Sequence, residues 1–154
     1  MNKYMQMADE MAMQNVLTNH GGPFGAVIVK DGVVVGIGNN HVVKNNDPTA
    51  HAEVNAIRKA CGRLATFNLK GCDIYCSCEP CPMCFGAIYW ASIDTIYYAN
   101  NRKDAARIGF SDDFIYQEIS EAPAQREKPM IELLPDEGKK AFEMWEDSKD
   151  KKEY

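Results

Sequence analysis

The amino-acid sequence predicts an α/β protein built as a three-layer α/β/α sandwich around a mixed five-stranded sheet. Three patterns support this: a β-hairpin between two helical stretches, a strand–helix–strand run after it, and further helical and β-rich stretches in the last third. A strand–helix–strand run forms a right-handed crossover between parallel strands, whereas a hairpin pairs antiparallel ones. Such an order places helices on both faces of one sheet. The 154 residues are enough for a single domain spanning 1–154.

Spacing and turn chemistry predict the first helix and the hairpin. Apolar residues three to four apart predict a helix over residues 3–18. Two runs rich in β-branched residues, 24–30 and 33–38, flank Asp31-Gly32. That dipeptide is typical of a type I′ turn, because both turn positions need positive φ. The two glycines inside the second run either weaken this strand or let another backbone approach it closely.

The second helix is constrained at its start. Asp47-Pro48-Thr49 is a helix-start signal, and an apolar stripe follows it with gaps of four and three: Ala50, Val54, Ile57, Cys61 and Leu64. In a regular helix, positions 51 and 53 point about 200° apart. If His51 and Glu53 face one site, His51 must lie at the helix mouth in a partly non-helical conformation. We therefore expect the regular helix to begin near His51.

Shorter patterns predict the remaining elements. Residues 72–78 form a buried strand, Pro82 opens a helix over 82–91 with Cys81 as its cap residue, and a strand follows over 93–99. Beyond residue 100 the pattern weakens. It predicts a helix over 112–119, a fifth strand over 130–134, a final helix over 137–145 and a charged tail over 148–154.

Charge and hydropathy exclude several classes of function. The formal net charge is −5 and no dense basic stripe is present, so we expect no nucleic-acid partner. No run of about 18 apolar residues is present, so we expect no membrane span. The first residues lack the apolar core and cleavage site of a signal peptide. These features predict a cytosolic (cytoplasmic) protein whose thiols stay reduced.

The cysteines indicate a metal site. All six fall between residues 61 and 84, which favours metal binding or packing over a disulfide framework. Cys81 and Cys84 are three apart at a helix start, so their sulfurs share one side, and the positive helix end favours thiolates. His51 supplies a third ligand. Two cysteines, one histidine and an open position describe a catalytic zinc site, in which the bound water has a pKa of about 7.

Glu53 distinguishes a catalytic site from a structural one. No ligand role is left for its carboxylate, which can take a proton from water and pass it to a leaving group. A non-enzymatic zinc-binding module would use four protein ligands and need no such carboxylate. His51-Ala52-Glu53 followed by Pro80-Cys81-Pro82-Met83-Cys84 is the H-x-E and P-C-x-x-C combination of zinc-dependent deaminases.

An iron–sulfur site is the alternative use of these cysteines. The spacing Cys78-x-x-Cys81-x-x-Cys84 fits the start of such a run, but a fourth cysteine is needed and position 88 is Ile88. That alternative also gives the H-x-E motif no role. No catalytic or metal-binding role is assigned to the other cysteines and histidines. Cys61 and Cys72 are interpreted as small buried apolar residues, and His20 and His41 are assigned to loops. The roles of Cys76 and Cys78 are left undecided.

Six stretches carry a resemblance to a known family. Four are shared in part with tRNA adenosine and other nucleobase deaminases: GGPFGAVIVKDG at 21–32, NDPTAHAE at 46–53, CEPCPMC at 78–84 and GAIYWA at 86–91. Two are more specific, GFSDDFIY at 109–116 and KKEY at 151–154. With these, the sequence resembles the bacterial guanine deaminases of the cytidine deaminase superfamily over nearly the whole chain. One departure is Cys76, where the family leads us to expect a small hydroxyl residue.

The resemblance implies hydrolysis of guanine to xanthine and ammonia, with one zinc ion per chain, in purine catabolism or salvage. In this family His51, Cys81 and Cys84 would hold the zinc, and Glu53 would move protons. The other implied roles are proton transfer to the departing amine for Asp112, purine binding for Asn40, the backbone of Ala52, Phe24 and Trp90, and closure of the pocket for Tyr154.

Residue type alone is also compatible with simpler roles at these positions. Such roles are a turn for Asn40, core packing for Phe24 and Trp90, a helix cap for Asp112 and a frayed end for Tyr154. The resemblance also implies a homodimer that exchanges C-terminal segments, so Tyr154 would close either its own pocket or its partner's. The alternative substrates are a nucleoside, another amino-substituted ring or a tRNA adenosine, and the acidic charge counts against the last.

Overall fold

The structure, a computed structural model, describes residues 2–154. Its helices are α1 (Lys3–Thr18), α2 (Val42–Asn45), α3 (Ala52–Leu64), α4 (Pro82–Trp90), α5 (Arg102–Arg107), α6 (Asp113–Ser120) and α7 (Pro135–Asp147), with a 3₁₀ turn at Pro123–Gln125. Its strands are β1 (Gly25–Lys30), β2 (Val33–Asn39), β3 (Cys72–Cys78) and β4 (Thr95–Asn100). One compact unit ends at Asp113, and a second spans Phe114–Tyr154. None of the described helices is long and apolar enough to cross a bilayer.

The hairpin forms as predicted. Asp31 and Gly32 have φ values of 48° and 77°, the positive values that a type I′ turn requires. The turn sets β1 and β2 antiparallel, with Ala26 opposite Gly38. A register irregularity between Ile28 and Val29 marks a β-bulge in this ladder. The dipeptide therefore fixes the local register of the first two strands.

The sheet is mixed and its strand order is β2-β1-β3-β4. Strand β1 is antiparallel to both neighbours, whereas β3 and β4 are parallel and are joined through α4. The crossover predicted from the strand–helix–strand pattern is therefore confirmed. Strand β4 lies at the edge of the sheet, and its last four residues are exposed.

The prediction of a fifth strand over residues 130–134 is wrong for this chain. The segment is irregular, and Ile131, Leu133 and Leu134 are all exposed. Leu134 adopts a left-handed φ of 52°, and Pro135 opens α7 directly after it. A β-rich run becomes a strand only when a neighbouring strand accepts its backbone hydrogen bonds. Sequence pattern gives the propensity of the run but not the presence of that neighbour.

Helices cover both faces of the sheet, which confirms the three layers. On one face, α1 packs Ala8 against Val27, Val29 and Tyr75. On the other face, α3 and α4 pack over a second core cluster. The sheet contributes Ala26, Ile28, Ile74 and Cys76 to this cluster, which also includes Ala52, Ala56, Ala60, Cys72, Ile88 and Ala91. Strand β1 is thus buried on both sides. Each fully buried Val or Ile there contributes about 1.5–3 kcal/mol of hydrophobic stabilisation.

Helix α3 packs on the sheet through alanines, not through the larger residues of the predicted stripe. Its buried apolar residues are Ala52, Ala56 and Ala60, whereas Ile57 and Cys61 lie at the edge of the core cluster. The cause is the glycine pair of β2. A Cβ at Gly38 would collide with the carbonyl oxygen of Ala52, and one at Gly36 with that of Ala56. The glycines admit the helix backbone, and only small residues fit on the facing side of α3.

Two short helices occur where no helix was predicted. Helix α2 lies within the polar loop, and α5 follows β4 directly. Helix α5 begins with a capping box, in which the Asn101 side chain accepts from the backbone of Asp104 and the Asp104 carboxylate accepts from the backbone of Asn101. Both helices are too short for a periodic pattern to show in the sequence.

We expect Gly38→Ala to lower the free energy of unfolding by about 1–3 kcal/mol, because the added Cβ meets the backbone of α3. Gly62→Ala is the matched control, since a Cβ at this position in α3 meets nothing within 4 Å. Alanine there should raise stability by about 0.5–1 kcal/mol. Urea unfolding of both variants measures the difference, and equal effects would contradict the close packing of α3 on β2.

Candidate active site

Two helix starts bring the motif residues together. His51 is the N-cap of α3 and has extended backbone angles, φ −69° and ψ 159°. Cys81 is the N-cap of α4 with φ −67° and ψ 167°, and Pro82 follows at the first helical position. The regular part of α3 begins at Ala52, so the boundary predicted near His51 is confirmed. The extended cap lets His51 and Glu53 face one site despite their spacing.

Three side chains converge on one point. The Nδ1 atom of His51 lies 3.5 Å from the Sγ of Cys81 and 3.5 Å from the Sγ of Cys84. The three potential ligand atoms all lie within 4.8 Å of one another. Tetrahedral zinc, with bonds of about 2.0–2.1 Å to nitrogen and about 2.3 Å to sulfur, separates N and S ligands by about 3.5 Å. The observed spacing therefore fits a three-residue zinc site in which Nδ1 is the histidine ligand.

Hydrogen bonds within this cluster shift the pKa values of its three potential ligands. Hydrogen bonding with Cys84 is the largest cause that lowers the pKa of Cys81 to about 4. Hydrogen bonding with His51 adds to this shift, and desolvation opposes it. The same bond, with burial, raises the pKa of Cys84 far above its usual range. The hydrogen bond to Cys81 also raises the pKa of His51. The lowered pKa favours the thiolate form of Cys81, and metal binding would release the remaining thiol proton of Cys84 to solvent.

Glu53 lies beside the cluster without belonging to it. Its carboxyl is buried, with 8% of the residue exposed, and its Oε2 accepts a hydrogen bond from Cys84 Sγ at 3.4 Å. Burial is the largest cause that raises the pKa of Glu53. A buried carboxyl with a raised pKa has a greater affinity for a proton, which suits a group that accepts a proton and later donates it.

The remaining cysteines stay outside the metal group. Cys78 is buried and directs its Sγ towards the carbonyl oxygen of Asn101 at 3.8 Å. Burial raises the pKa of Cys78 to about 11, so this thiol stays neutral. Over residues 2–154, the potential metal ligands of the motif region are His51, Cys81 and Cys84. An iron–sulfur cluster would require Cys78 as a further ligand, and Cys78 is not part of this group.

The loops at the ends of α1 and β2 bring Phe24 and Asn40 side by side. The backbone N–H of Asn40 donates to the carbonyl of Phe24 at 3.1 Å. The Asn40 Oδ1 accepts from the backbone N–H of Val42 at 3.1 Å, so the amide NH₂ group points away from that contact. The Phe24 ring meets Phe110 edge to face, with centroids 5.0 Å apart. Ala52 adds a backbone N–H from the first turn of α3, which has no intrahelical acceptor.

Asp112 has a buried carboxyl oxygen that accepts no hydrogen bond from the described residues. Among the described buried side chains, Asp112 Oδ1 is the polar atom without a hydrogen-bond partner. Burial raises the pKa of this carboxyl, and the nearby Cys81 adds to the shift. Arg102 ties the segment to the cysteine loop, because its side chain lies 3.3 Å from Glu79 and 3.7 Å from Asp113. Asp112 is thus held near the cluster.

Trp90 lies away from the metal ligands. Trp90 ends α4, about 13 Å along the helix axis from the cap residue Cys81, and 71% of it is exposed. Tyr154 belongs to the second compact unit and is 83% exposed. The arrangement within one chain therefore does not bring Trp90 beside the metal ligands.

Sequence reasoning missed three residues that shape this region. Phe110 packs on Phe24, Arg102 bridges Glu79 to the Asp112 segment, and Asn15 is a fully buried polar residue of α1. Of these three, only Asn15 could be recognised from the sequence, because an amide on the apolar side of an amphipathic helix needs buried hydrogen-bond partners. Phe110 and Arg102 contact residues that are distant in sequence, and no local pattern marks such contacts.

The fold and the cluster define a zinc-dependent deaminase domain. Residues 1–100 match the cytidine and deoxycytidylate deaminase zinc-binding region, and the chain belongs to this family. The chain is similar to the guanine deaminase of Bacillus subtilis strain 168, with 48% identity across 98% of this chain and 97% of the relative. The X-ray structure of guanine deaminase from Bacillus subtilis aligns over 100% of this chain and 99% of that chain, with a TM-score of 0.96.

Two further similarities are less extensive. A crystal structure in complex with 2,6-diaminopurine aligns with a TM-score of 0.68 and 33% identity, over 71% of this chain and 61% of that chain. The tRNA-specific adenosine deaminase of Aquifex aeolicus is 44% identical, but over only 50% of this chain and 51% of the relative. The similarity to the guanine deaminase thus includes the C-terminal third, whereas the similarity to the tRNA enzyme spans half of the chain.

We expect Cys81→Ser to lose most of the bound zinc, because oxygen replaces a thiolate ligand in a three-residue site. Cys61→Ser is the matched control, since Cys61 lies at the edge of the core away from the cluster. Elemental analysis of the purified proteins should give one zinc per chain for wild type and for the control. Iron in place of zinc, or full zinc content in Cys81→Ser, would contradict this ligand set.

Proposed function

We propose that this protein is a guanine deaminase that converts guanine and water to xanthine and ammonia. The observation that carries the proposal is a buried carboxyl, Glu53, 3.4 Å from a cysteine of a three-residue zinc site. That arrangement suits hydrolysis and not a closed structural site. The choice of guanine is supported by the similarity to a guanine deaminase along nearly the whole chain.

In the reaction, the oxygen of water bonds to C2 of guanine, the bond from C2 to the exocyclic nitrogen breaks, and that nitrogen leaves as ammonia. His51, Cys81 and Cys84 would hold a zinc ion, which would supply Lewis-acid activation of water near neutral pH. Glu53 takes one proton from the attacking water and passes it to the ring nitrogen N3. The second hydrogen of that water goes to the exocyclic nitrogen as the carbonyl forms, so that it leaves as NH₃. The buried position of Glu53, which raises its pKa, suits a group that must both accept and donate a proton.

Residues around the cluster are proposed to hold and orient the purine. The amide NH₂ of Asn40 and the backbone N–H of Ala52 donate to acceptor atoms of the base. Phe24 packs on its flat face, and the edge-to-face contact with Phe110 fixes the Phe24 ring. A few convergent polar groups and an aromatic wall are what a planar heterocycle requires.

Asp112 is proposed to assist the departure of ammonia. Its buried Oδ1 lacks a partner among the described residues and can accept a hydrogen bond from the exocyclic amine of the base. Burial keeps the pKa of this carboxyl raised, so Asp112 can also carry a proton towards the leaving nitrogen. A helix-capping role alone would not explain an orphan buried oxygen.

Ammonia release across a panel of substrates tests the activity. We expect guanine to be turned over well above guanosine, adenine, cytosine, cytidine and a tRNA with a target adenosine. Glu53→Gln is the matched negative control, because it removes the proton carrier, keeps the size of the side chain and leaves the zinc ligands in place. It should keep its zinc and lose activity by about 100-fold or more. Preference for another substrate would replace guanine, and near-normal turnover by Glu53→Gln would remove Glu53 from the mechanism.

The whole chain, 1–154, is proposed to act as one deaminase domain in a homodimer whose C-terminal segments are exchanged. Three exposed features support an exchanged segment: the edge strand β4, the apolar run 130–134, and the aromatic residues Trp90 and Tyr154. An unpaired edge strand and exposed aromatic side chains are typical of surfaces that a partner covers. Purine binding by Trp90 and pocket closure by Tyr154 are part of this proposal, as is the cytoplasmic location.

Mixed dimers test whether Tyr154 acts across subunits. Each of two variants, Glu53→Gln and a chain truncated before Tyr154, is expected to lack guanine turnover alone and to retain zinc. If Tyr154 closes the partner's pocket, a mixed dimer contains one complete site, and activity returns on mixing after denaturation and refolding. Recovery up to about a quarter of wild type follows from random pairing of equal amounts. No recovery, with light scattering showing dimers, would place Tyr154 over its own site.

A further inference from the structure

A buried amide of α1 binds the two loops that carry the proposed purine-binding residues. Asn15 is fully buried. Its Nδ2 donates to the carbonyl oxygen of Asn40 at 2.6 Å and to that of Gly22 at 3.0 Å. Its Oδ1 accepts from the Asn39 side chain at 2.6 Å. All of its strong hydrogen-bonding capacity is therefore directed at backbone and side-chain groups of these two loops.

Each contact restrains a residue of the proposed site. Gly22 O, which accepts from Asn15, also accepts from the backbone N–H of Phe24 at 2.8 Å. The carbonyl of Asn40 is held at the residue whose amide is proposed to meet the base. A Cβ at Gly22 would meet the rings of Phe24 and Phe110, so this loop has little room to move.

The contacts continue to the helix that carries the metal ligand. Asn39, bound through its side chain to Asn15, offers its carbonyl to the Asn55 side chain at 2.9 Å. Asn55 also donates to the carbonyl of Ala50 at 3.2 Å, next to His51. Three asparagines thus link α1, the end of β2 and the start of α3.

Resting on the proposed function, we propose that Asn15 is a positioning residue for purine binding. It touches neither the metal ligands nor Glu53, and it acts by fixing where Phe24 and Asn40 stand relative to the cluster. Two carbonyl groups from distant segments approach one amide. Its loss removes the donor to the Asn40 carbonyl and leaves the Gly22 carbonyl held only by the backbone N–H of Phe24, which frees the loops. The proton carrier, by contrast, stays fixed by the burial of Glu53 in α3.

Asn15→Ala separates positioning from general stability. We expect KM for guanine to rise by about 10-fold or more while kcat falls by less than about threefold, with zinc content unchanged. Val29→Ala is the control, because Val29 is buried in the core beneath α1 and makes no contact with the loops. It should lower the melting temperature to a similar extent and leave KM unchanged. If Asn15→Ala does not fold, Asn15→Ser, which keeps one hydroxyl at the buried position and loses both amide donors, gives the same comparison.

Amide hydrogen exchange supplies a readout that does not depend on substrate. Asn15→Ala should accelerate exchange at residues 22–25 and 39–42, and Val29→Ala should not. A wild-type enzyme without guanine turnover would overturn the proposed function, and exchange alone would then decide the role of Asn15. Unchanged loop exchange, or a KM equal to that of Val29→Ala, would overturn the positioning role.

Discussion

The site depends on two helix N-termini that meet with extended cap residues. Because His51 and Cys81 are caps and not helical residues, their side chains can turn towards Cys84, and Nδ1 lies 3.5 Å from both sulfurs. The sheet enforces this meeting. The glycines of β2 admit α3 at close range, and the parallel crossover sets α4 beside it. A small shift of either helix would separate the ligand atoms.

The same arrangement places groups that can carry negative charge close together, and a bound cation would reduce their mutual repulsion. A thiolate, a second thiol and a buried carboxyl lie together, and burial raises the pKa of Glu53 while hydrogen bonds lower that of Cys81. The positive ends of α3 and α4 stabilise part of the negative charge. A divalent metal compensates the rest, which couples metal binding to the stability of the site. The chemistry and the local stability thus depend on the same three ligands.

Local patterns predicted the metal centre well, because every part of it is encoded near a helix start. His51, Glu53, Cys81 and Cys84 each lie within one turn of a cap. The spacing of Cys81 and Cys84 specifies a shared face, whereas His51 and Glu53 face one site because the cap at His51 is extended. Features that depend on contacts between residues distant in sequence were harder to predict. The run 130–134 has the composition of a strand but no partner within the described sheet. The larger residues of α3 suggested a buried stripe, whereas the glycines of another strand selected the alanine face. Phe110 and Arg102 act through contacts that only the fold creates.

This contrast suggests how chemistry and substrate choice are separated in the molecule. Glu53 and the potential metal ligands are held at the starts of two helices, which pack on a doubly buried strand. The residues proposed to bind the base stand on loops, and one amide of α1 restrains both through contacts 7 and 25 residues away. A change at Asn15 therefore alters where a base is held without touching the groups that react with it.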